Sequence, residues 1–195
     1  MSQVSIRNSM SLGGETAQDN KTIEVDNVIS ASSGVGGVVA GDAGTAGEAG
    51  VITLSSGHGI TDADTVAVIW ATGYRYGCTV SSYGATSVTL TGGAGDALPT
   101  SGAVVVSVQS EIDLAFSGTQ LQALSIGGDI AMIIVLEDDG GVELVKATAA
   151  NAPYQWNSEN GEANPITGDA IIAVHAYAQG TTAGTAKALV AYNND

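Results

Sequence analysis

Five short segments between residues 50 and 109 alternate apolar and polar residues, and glycine-rich turns separate them. The segments are VITLSS, VAVIWA, YGCTVSS, SVTLT and AVVVSVQ. In VAVIWA the side chains of Val66, Val68 and Trp70 alternate with Ala67 and Ile69, which is the period of a β-strand. Several strands spaced about 8 to 12 residues apart leave no room for a long helix, so residues 50–110 are predicted to form a small β-barrel or sandwich.

The turns of this module are predicted from its glycines. They fall at 57–64, 72–73, 83–84 and 92–96, the last of which is the run GGAGD before Leu98 and Pro99. Glycine supplies the positive φ angles that tight turns need.

Residues 111–195 repeat the pattern with longer strands. IDLAFS, AIIAVHAYA and AKALVAYN predict strands, and AMIIVLEDDGGVELVKA predicts a hairpin with its turn at 138–141. The apolar run 130–136 predicts a strand that is covered on both faces. The fold class predicted for the chain is therefore all-β, with a jelly-roll-like β-sandwich after the barrel.

Residues 1–49 are predicted to be an extended N-terminal arm. Within them 22–30 alternates as a strand does, whereas 30–49 is rich in Gly, Ala and Ser and should be flexible on its own, because it offers little surface to bury. Either this stretch becomes ordered against neighbouring subunits, or it is a plain linker. The predicted division is thus an arm (1–49), a barrel (50–110) and a sandwich (111–195).

Charge restricts the partners. The chain has 5 Lys plus Arg against 20 Asp plus Glu, a net charge of −15, which repels phosphate backbones and anionic lipid surfaces. We therefore expect neither nucleic-acid nor membrane binding. Residues 111–195 contain eleven acidic residues and two lysines, a net charge of −9, so this acidic module is expected to face solvent.

The single cysteine, Cys78, excludes an internal disulfide framework and is expected to be a small buried residue of its strand. The N-terminus MSQVSIRNSM does not predict a signal peptide, since it lacks an apolar core preceded by basic residues. No stretch of about 18 or more apolar residues predicts a membrane span.

The cluster most similar to a chemical site is GHGITDAD, in which His58, Asp62 and Asp64 have metal-ligand and acid–base side chains. Aspartates in such glycine-rich turns normally bond their own backbone, so a structural turn is preferred. The metalloprotease, zinc-ribbon, nucleophile-elbow and phosphate-loop motifs are absent from the sequence. We predict no catalytic residue, no cofactor and no metal.

Three further groups have a functional and a structural interpretation. The acidic run 137–139 has oxygen ligands for calcium but lacks the spacing of a calcium loop, so a solvated hairpin tip is preferred. His175 is expected to be a hydrogen-bonded histidine of a sheet. Lys146 and Lys187, with asparagines nearby, raise the less favoured hypothesis of an isopeptide link.

A long loop is predicted at 147–168, which contains Tyr154, Trp156 and two prolines. Loops longer than about 12 to 15 residues are uncommon in compact domains and often make interactions. Tyr154 and Trp156 are therefore the predicted partner-binding residues, since aromatic residues concentrate at interface centres. The alternative is that Trp156 folds back on its own module.

The middle of the chain resembles structural proteins of tailed-bacteriophage virions. The likeness rests on LSSGHGITDADTVAVIW, YRYGCTV, LTGGAGDALPTSG and VVVSVQ, and covers residues 50–110. It implies a non-enzymatic capsid decoration or cement protein on the virion surface, with the major capsid protein as its partner. Such a protein is expected to bind the shell through the arm (1–49) and the barrel (50–110) and to expose the acidic module (111–195). Because such a protein binds symmetric lattice positions, a homotrimer is expected.

Three other functions stay open. One is a receptor- or carbohydrate-binding fibre tip that uses Tyr154 and Trp156 as a stacking platform. Another is a major capsid shell subunit. The last is a surface depolymerase, which would need a carboxylate pair such as Asp62 and Asp64 to converge in a cleft.

Overall fold

The computed structural model of the chain describes residues 4–8, 20–29, 34–39, 49–112, 120–138, 141–165, 171–182 and 184–193. These residues form fifteen β-strands and one turn of 3-10 helix, Ser158–Asn160, so the all-β fold class is confirmed. Among the described residues no helix has the length and apolar character needed to cross a membrane.

The strands, numbered in chain order, have the following bounds: β1 Val4–Asn8, β2 Asn20–Ile29, β3 Gly34–Val39, β4 Gly50–Leu54, β5 Thr65–Trp70, β6 Gly73–Gly84, β7 Ser87–Gly95, β8 Gly102–Val108, β9 Ser110–Ile112, β10 Gln120–Gly128, β11 Met132–Asp138, β12 Gly141–Thr148, β13 Tyr154–Asn157, β14 Ile171–Ala178 and β15 Gly184–Asn193.

The chain divides into two compact units. One contains residues 29–110 and 177–183, and the other contains 1–28, 111–176 and 184–195. The N-terminal strands are shared between them, because β1 and β2 belong to the second unit and β3 to the first. The division into arm, barrel and sandwich stays a prediction about domains.

The first unit is a closed antiparallel barrel with strand order β3-β4-β7-β6-β5-β8. β3 closes it, since this strand pairs with β4 on one side and β8 on the other. Neither alternative for 30–49, order against neighbouring subunits or a plain linker, describes 34–39, which form β3. Ladder hydrogen bonds do not require side chains, and the glycines of GVGGVV make them with strands of the same chain.

The barrel interior is filled by the inward residues that the period-two pattern predicted, together with one residue from each of the loops 55–64 and 96–101. These buried residues are Ile52, Leu54, Ile60, Val66, Val68, Cys78, Val80, Val88, Leu90, Leu98, Val104 and Val106. Ile60 and Leu98 come from the two loops, which lie at opposite ends of the barrel. Burying a side chain of this size contributes about 1.5–3 kcal/mol.

The second unit contains two sheets, with strand orders β1-β2-β15-β10-β13 and β12-β11-β14-β9. β11 and β12 form the predicted hairpin, in which Asp138 is opposite Gly141. The predicted double coverage of the apolar run is confirmed for 132–136, which are all buried in a strand inside its sheet, whereas 130 and 131 are half-buried and precede β11. The predicted strand at 22–30 is confirmed as β2.

Two predicted turns or loops are strands instead. The run GGAGD continues β7 as far as Gly95, paired with the first residues of β6. The predicted loop 147–168 contains β13, which pairs with β10 after a tight turn whose Asn151 has φ +59°. In both places contacts across the sheet determine the conformation, and local composition does not.

Gly93 is required at its position in β7 for two reasons. Its φ is +78°, and an added Cβ would lie 2.6 Å from the carbonyl oxygen of Tyr76 and 2.7 Å from Sγ of Cys78. Gly92 has a similar φ of +71° but open space around its Cα. Comparing alanine substitutions at the two positions therefore separates the free-energy cost of the left-handed backbone from the cost of a steric clash.

We predict that Gly93→Ala lowers the free energy of unfolding more than Gly92→Ala does. The left-handed conformation costs either variant about 1–2 kcal/mol, and the clash adds about 1–3 kcal/mol for Gly93→Ala. Urea unfolding of both variants measures the difference. Equal losses of stability would show that Tyr76 and Cys78 lie farther from the Gly93 Cα than described.

Candidate functional site

The loop 55–64 closes one end of the barrel through His58. This side chain is buried, its Nδ1 accepts a hydrogen bond of 3.0 Å from the amide of Ile60, and its Nε2 lies 2.9 Å from the carbonyl oxygen of Gly84. Because Nδ1 accepts, the pattern assigns the proton to Nε2, which donates to Gly84. The imidazole thus ties the loop to the end of β6 and holds Ile60 in the core.

The two aspartates of GHGITDAD do not join His58 in one site. Asp64 Oδ2 accepts from the amide of Thr61 at 2.7 Å and from its hydroxyl at 3.1 Å, whereas Asp62 is exposed. Asp64 therefore fixes its own loop, as the turn interpretation predicted. Within the described ranges no three His, Cys, Asp or Glu side chains are grouped so that they could hold a metal ion.

The opposite end of the barrel contains a buried arginine that the sequence analysis did not single out. The Arg75 side chain donates from Nε to the carbonyl of Gly92 at 2.7 Å, from Nη2 to Gly93 at 2.7 Å and from Nη1 to Asp96 at 3.3 Å. It is 5% exposed. The sequence signal for this arginine was a lone basic residue in an otherwise uncharged strand, together with the glycine-rich run that begins at Gly92 on the paired strand.

A β-bulge places Arg75 inside. Val66 of β5 is opposite Cys78, but Val68 is opposite Arg75, so β6 has one residue more than β5 between these pairs. Gly77 in the bulge has φ +66°. Residues three apart on β6 therefore face the same side, which brings Arg75 and Cys78 onto the inner face together.

Cys78 is the small buried residue that the sequence predicted. Its Sγ lies 3.9 Å from the carbonyl oxygen of Gly92 and 4.0 Å from that of Arg75. Burial raises the pKa of the thiol from 9.0 to about 11, and the nearby Arg75 charge offsets only part of this effect. The thiol is thus inert at neutral pH.

Tyr154 and Trp156, the predicted partner-binding residues, lie on the edge strand β13. Trp156 is opposite Leu124 of β10 and only 5% exposed, and its Nε1 has no hydrogen-bond partner among the described residues. Tyr154 is half-buried, with Nζ of Lys146 5.7 Å from its ring centroid. Trp156 is therefore placed in its own unit rather than on an open platform, and the assignment of both residues to a partner stays a prediction.

Charge and burial also act on the Tyr154 hydroxyl. Burial raises its pKa above 10.0, and the Glu162 carboxylate raises it further, because both disfavour the phenolate. The ring is consequently a neutral hydrogen-bonding group across the physiological range.

Most of the remaining candidate residues make contacts within the fold. His175 Nε2 lies 3.2 Å from Glu137 Oε2, so the predicted hydrogen-bonded sheet histidine is confirmed. The side chain of Asp138 and the whole of Asp139 lie outside the described residues. Lys187 is opposite Gly127 on β10, and the isopeptide hypothesis stays a prediction.

A feature that the sequence analysis missed lies on the outer face of the barrel. Tyr74 and Tyr76 flank Arg75 on β6, both are half-buried, and their ring centroids are 6.4 Å apart with an interplanar angle of 41°. Asp96 is exposed, and its Oδ2 accepts from the main-chain amide of Tyr74 at 3.2 Å.

Comparison with known proteins gives no relative. No protein-family model, no curated protein and no solved structure matches the chain.

The raised pKa of Cys78 predicts a loss of stability at alkaline pH. The folded state favours the thiol, so its contribution is fully present below pH 9 and is lost as pH rises towards 11. Two pKa units correspond to about 2–3 kcal/mol. Urea unfolding at pH 8 and pH 11 should therefore show a larger loss for the natural protein than for Cys78→Ala, in which the other titrating groups are unchanged. Equal losses would contradict the buried position of the thiol.

Proposed function

We propose that the chain is a structural protein that decorates or cements a bacteriophage capsid, as the resemblance of residues 50–110 suggested. It acts by binding copies of itself and the major capsid protein at repeated positions of the virion surface. A homotrimer suits this role, because trimers match the local threefold positions of a shell.

The strongest support for the proposal comes from the barrel side chains that could otherwise act as acids, bases or ligands. His58, Asp64 and Arg75 all bind backbone groups of the barrel's own loops and strand ends. Such a barrel is fixed at both ends by its own polar groups. A fixed shape is what a protein needs if many weak contacts are to add up over a lattice.

The surfaces of the two units differ in a way that suits this role. The outer face of β6 and β7 presents neutral hydroxyl side chains, with Thr79, Ser81 and Thr91 exposed. The unit that contains the barrel has five acidic residues and one arginine, a net charge of −4, whereas the other unit has fifteen acidic and four basic residues, a net charge of −11. The barrel is thus the better surface for lattice contact, and the acidic unit is the better surface for solvent.

The strand membership of the N-terminus changes how the proposal should be tested. Deleting residues 1–49 would remove β3 from the barrel and so would test folding as well as attachment. Deleting 1–19 removes only β1, the edge strand of its sheet, and leaves β2 and β3 in place. The shorter deletion is therefore the sharper variant.

We predict that the purified chain sediments as a trimer of the 19.3 kDa subunit and binds expanded capsids at a fixed ratio per hexamer. Cosedimentation of fluorescently labelled protein with capsids measures the ratio. Because the arm is proposed to contact the shell, the 1–19 deletion should bind at least tenfold more weakly while it keeps the β-sheet circular dichroism of the natural chain. A monomer that does not bind capsids would overturn the proposal.

A further inference from the structure

The second half of the loop 55–64 is anchored to its own backbone and to β6. Asp64 Oδ2 accepts hydrogen bonds from the amide and the hydroxyl of Thr61, and the amide of Asp64 donates to the carbonyl of Thr61 at 3.2 Å. The carbonyl oxygen of Asp64 accepts from the amide of Val80 at 3.3 Å. Residues 61–64 are thus fixed by contacts in which no histidine takes part.

The first half of the loop is held by His58. Its Nδ1 accepts from the amide of Ile60 at 3.0 Å, and its Nε2 donates to the carbonyl of Gly84 at 2.9 Å. Ile60 is 1% exposed and lies in the barrel core, whereas His58 is 8% exposed. The imidazole therefore has a small area through which a proton from solvent can reach it.

Glycines on both sides of His58 give this half of the loop freedom to change conformation. Gly57 has φ +78° and Gly59 has φ +75°, and at neither position does any atom lie within 4 Å of where a Cβ would be. Glycine adopts a wider range of backbone conformations than any other residue. Once the contacts of His58 are lost, residues 57–60 can therefore move while 61–64 stay in place.

A proton on Nδ1 of His58 is incompatible with the closed loop. The neutral ring has one N–H, which it donates to Gly84, and one nitrogen lone pair, which accepts from the Ile60 amide. A proton taken from water binds that lone pair, so that an N–H of the ring then faces the N–H of Ile60. The buried amide loses its acceptor, and a positive charge is placed at the end of an apolar core.

No carboxylate among the described residues forms an ion pair with His58 that could compensate this charge. In its own loop Asp62 is exposed and Asp64 is bonded to Thr61, and next to Gly84 the side chain of Tyr83 is 54% exposed. The strands β3, β4, β5, β7 and β8 contain no ionisable side chain. The other titratable side chains of residues 49–110 lie on the first half of β6 or just after β7, and they are Tyr74, Arg75, Tyr76, Cys78 and Asp96.

We propose that His58 is a pH switch: uptake of a proton at Nδ1 releases residues 57–60, withdraws Ile60 from the core and opens this end of the barrel. Imidazole is the side chain whose charge ordinarily changes between about pH 5 and 8. Because the closed loop requires the neutral ring, a fall in pH favours the open loop, by at most about tenfold per pH unit for one proton. The inference goes beyond the proposed function and does not rest on it.

The other histidine of the chain responds to acid in the opposite direction. His175 Nε2 donates to Glu137 Oε2 at 3.2 Å, and a carboxylate binds a protonated ring more strongly than a neutral one. Acid therefore strengthens this contact, whereas it breaks the contact between His58 and Ile60. A loss of hydrogen bonding in the loop is thus not explained by His175.

The test is a pH titration of the full natural chain, labelled with nitrogen-15 and followed by NMR. The ring nitrogen shifts of His58 report proton uptake, and amide hydrogen exchange, corrected for the intrinsic rate at each pH, reports the protection of Ile60. We expect this protection to fall at least tenfold between pH 7 and pH 5, in step with proton uptake by His58. Residues 104–106 of β8 should keep their protection.

Two asparagine variants assign the effect. In His58→Asn the side-chain oxygen takes the place of Nδ1 and can accept from the Ile60 amide, as in an Asx turn, but it does not take up a proton. Its protection at Ile60 should therefore be equal at pH 7 and pH 5. Asp64→Asn is the matched control, because its side-chain oxygen can still accept from the Thr61 amide, and it should keep the acid response of the natural chain.

Four results would overturn the inference. In the natural chain they are unchanged protection of Ile60 while His58 takes up its proton, and a His58 ring that is still neutral at pH 5. In the variants they are an acid response that persists in His58→Asn, and one that disappears in Asp64→Asn. The first two need only the natural chain, so they decide the matter even where the lost contact with Gly84 loosens the loop of His58→Asn. Capsid binding enters none of these measurements, so a failure of decoration leaves the switch unaffected.

Discussion

The hydrogen bonds from the buried Arg75 guanidinium to the carbonyls of Gly92, Gly93 and Asp96 hold together the part of the barrel that has the least surface to bury. Ordering a flexible backbone costs about 1–2 kcal/mol per residue, so the five residues 92–96 cost about 5–10 kcal/mol. Hydrogen bonds to a charged group each contribute about 1.5–3 kcal/mol, and three of them offset most of that cost. The ladder with β6 supplies the remainder.

The inward position of Arg75 also explains how the other residues at this end of the barrel are arranged. Arg75 can face inward because the bulge at Gly77 shifts the register, and its guanidinium has room because β7 presents glycine opposite it. Its inward position directs Tyr74 and Tyr76 outward, and the amide of Tyr74 fixes Asp96. At the other end, the loop 55–64 is also held by a buried side chain that bonds backbone groups, since His58 contacts Gly84 and holds Ile60 in the core.

The sequence predicted those features that depend on local pattern. Alternation identified β5 and β8, the Asp and Gly run identified the β11–β12 hairpin, and the isolated Cys78 was correctly placed in a core. It failed where the determining contacts lie far apart in the chain. The run GGAGD has the composition of a turn, but its pairing with β6 and the hydrogen bonds from Arg75, seventeen residues before Gly92, hold it as a strand. Likewise GVGGVV was expected to be flexible on its own, but β4 and β8 provide its hydrogen-bond partners.

Amide hydrogen exchange of Arg75→Lys tests the central role of this arginine most directly. A single ammonium cannot reach three carbonyls in the fork geometry of a guanidinium. We predict that protection in residues 88–98 falls at least tenfold relative to the natural chain, while residues 120–128 of the other unit keep theirs. Unchanged protection in 88–98 would show that the glycine segment is held by its ladder alone and would contradict the account.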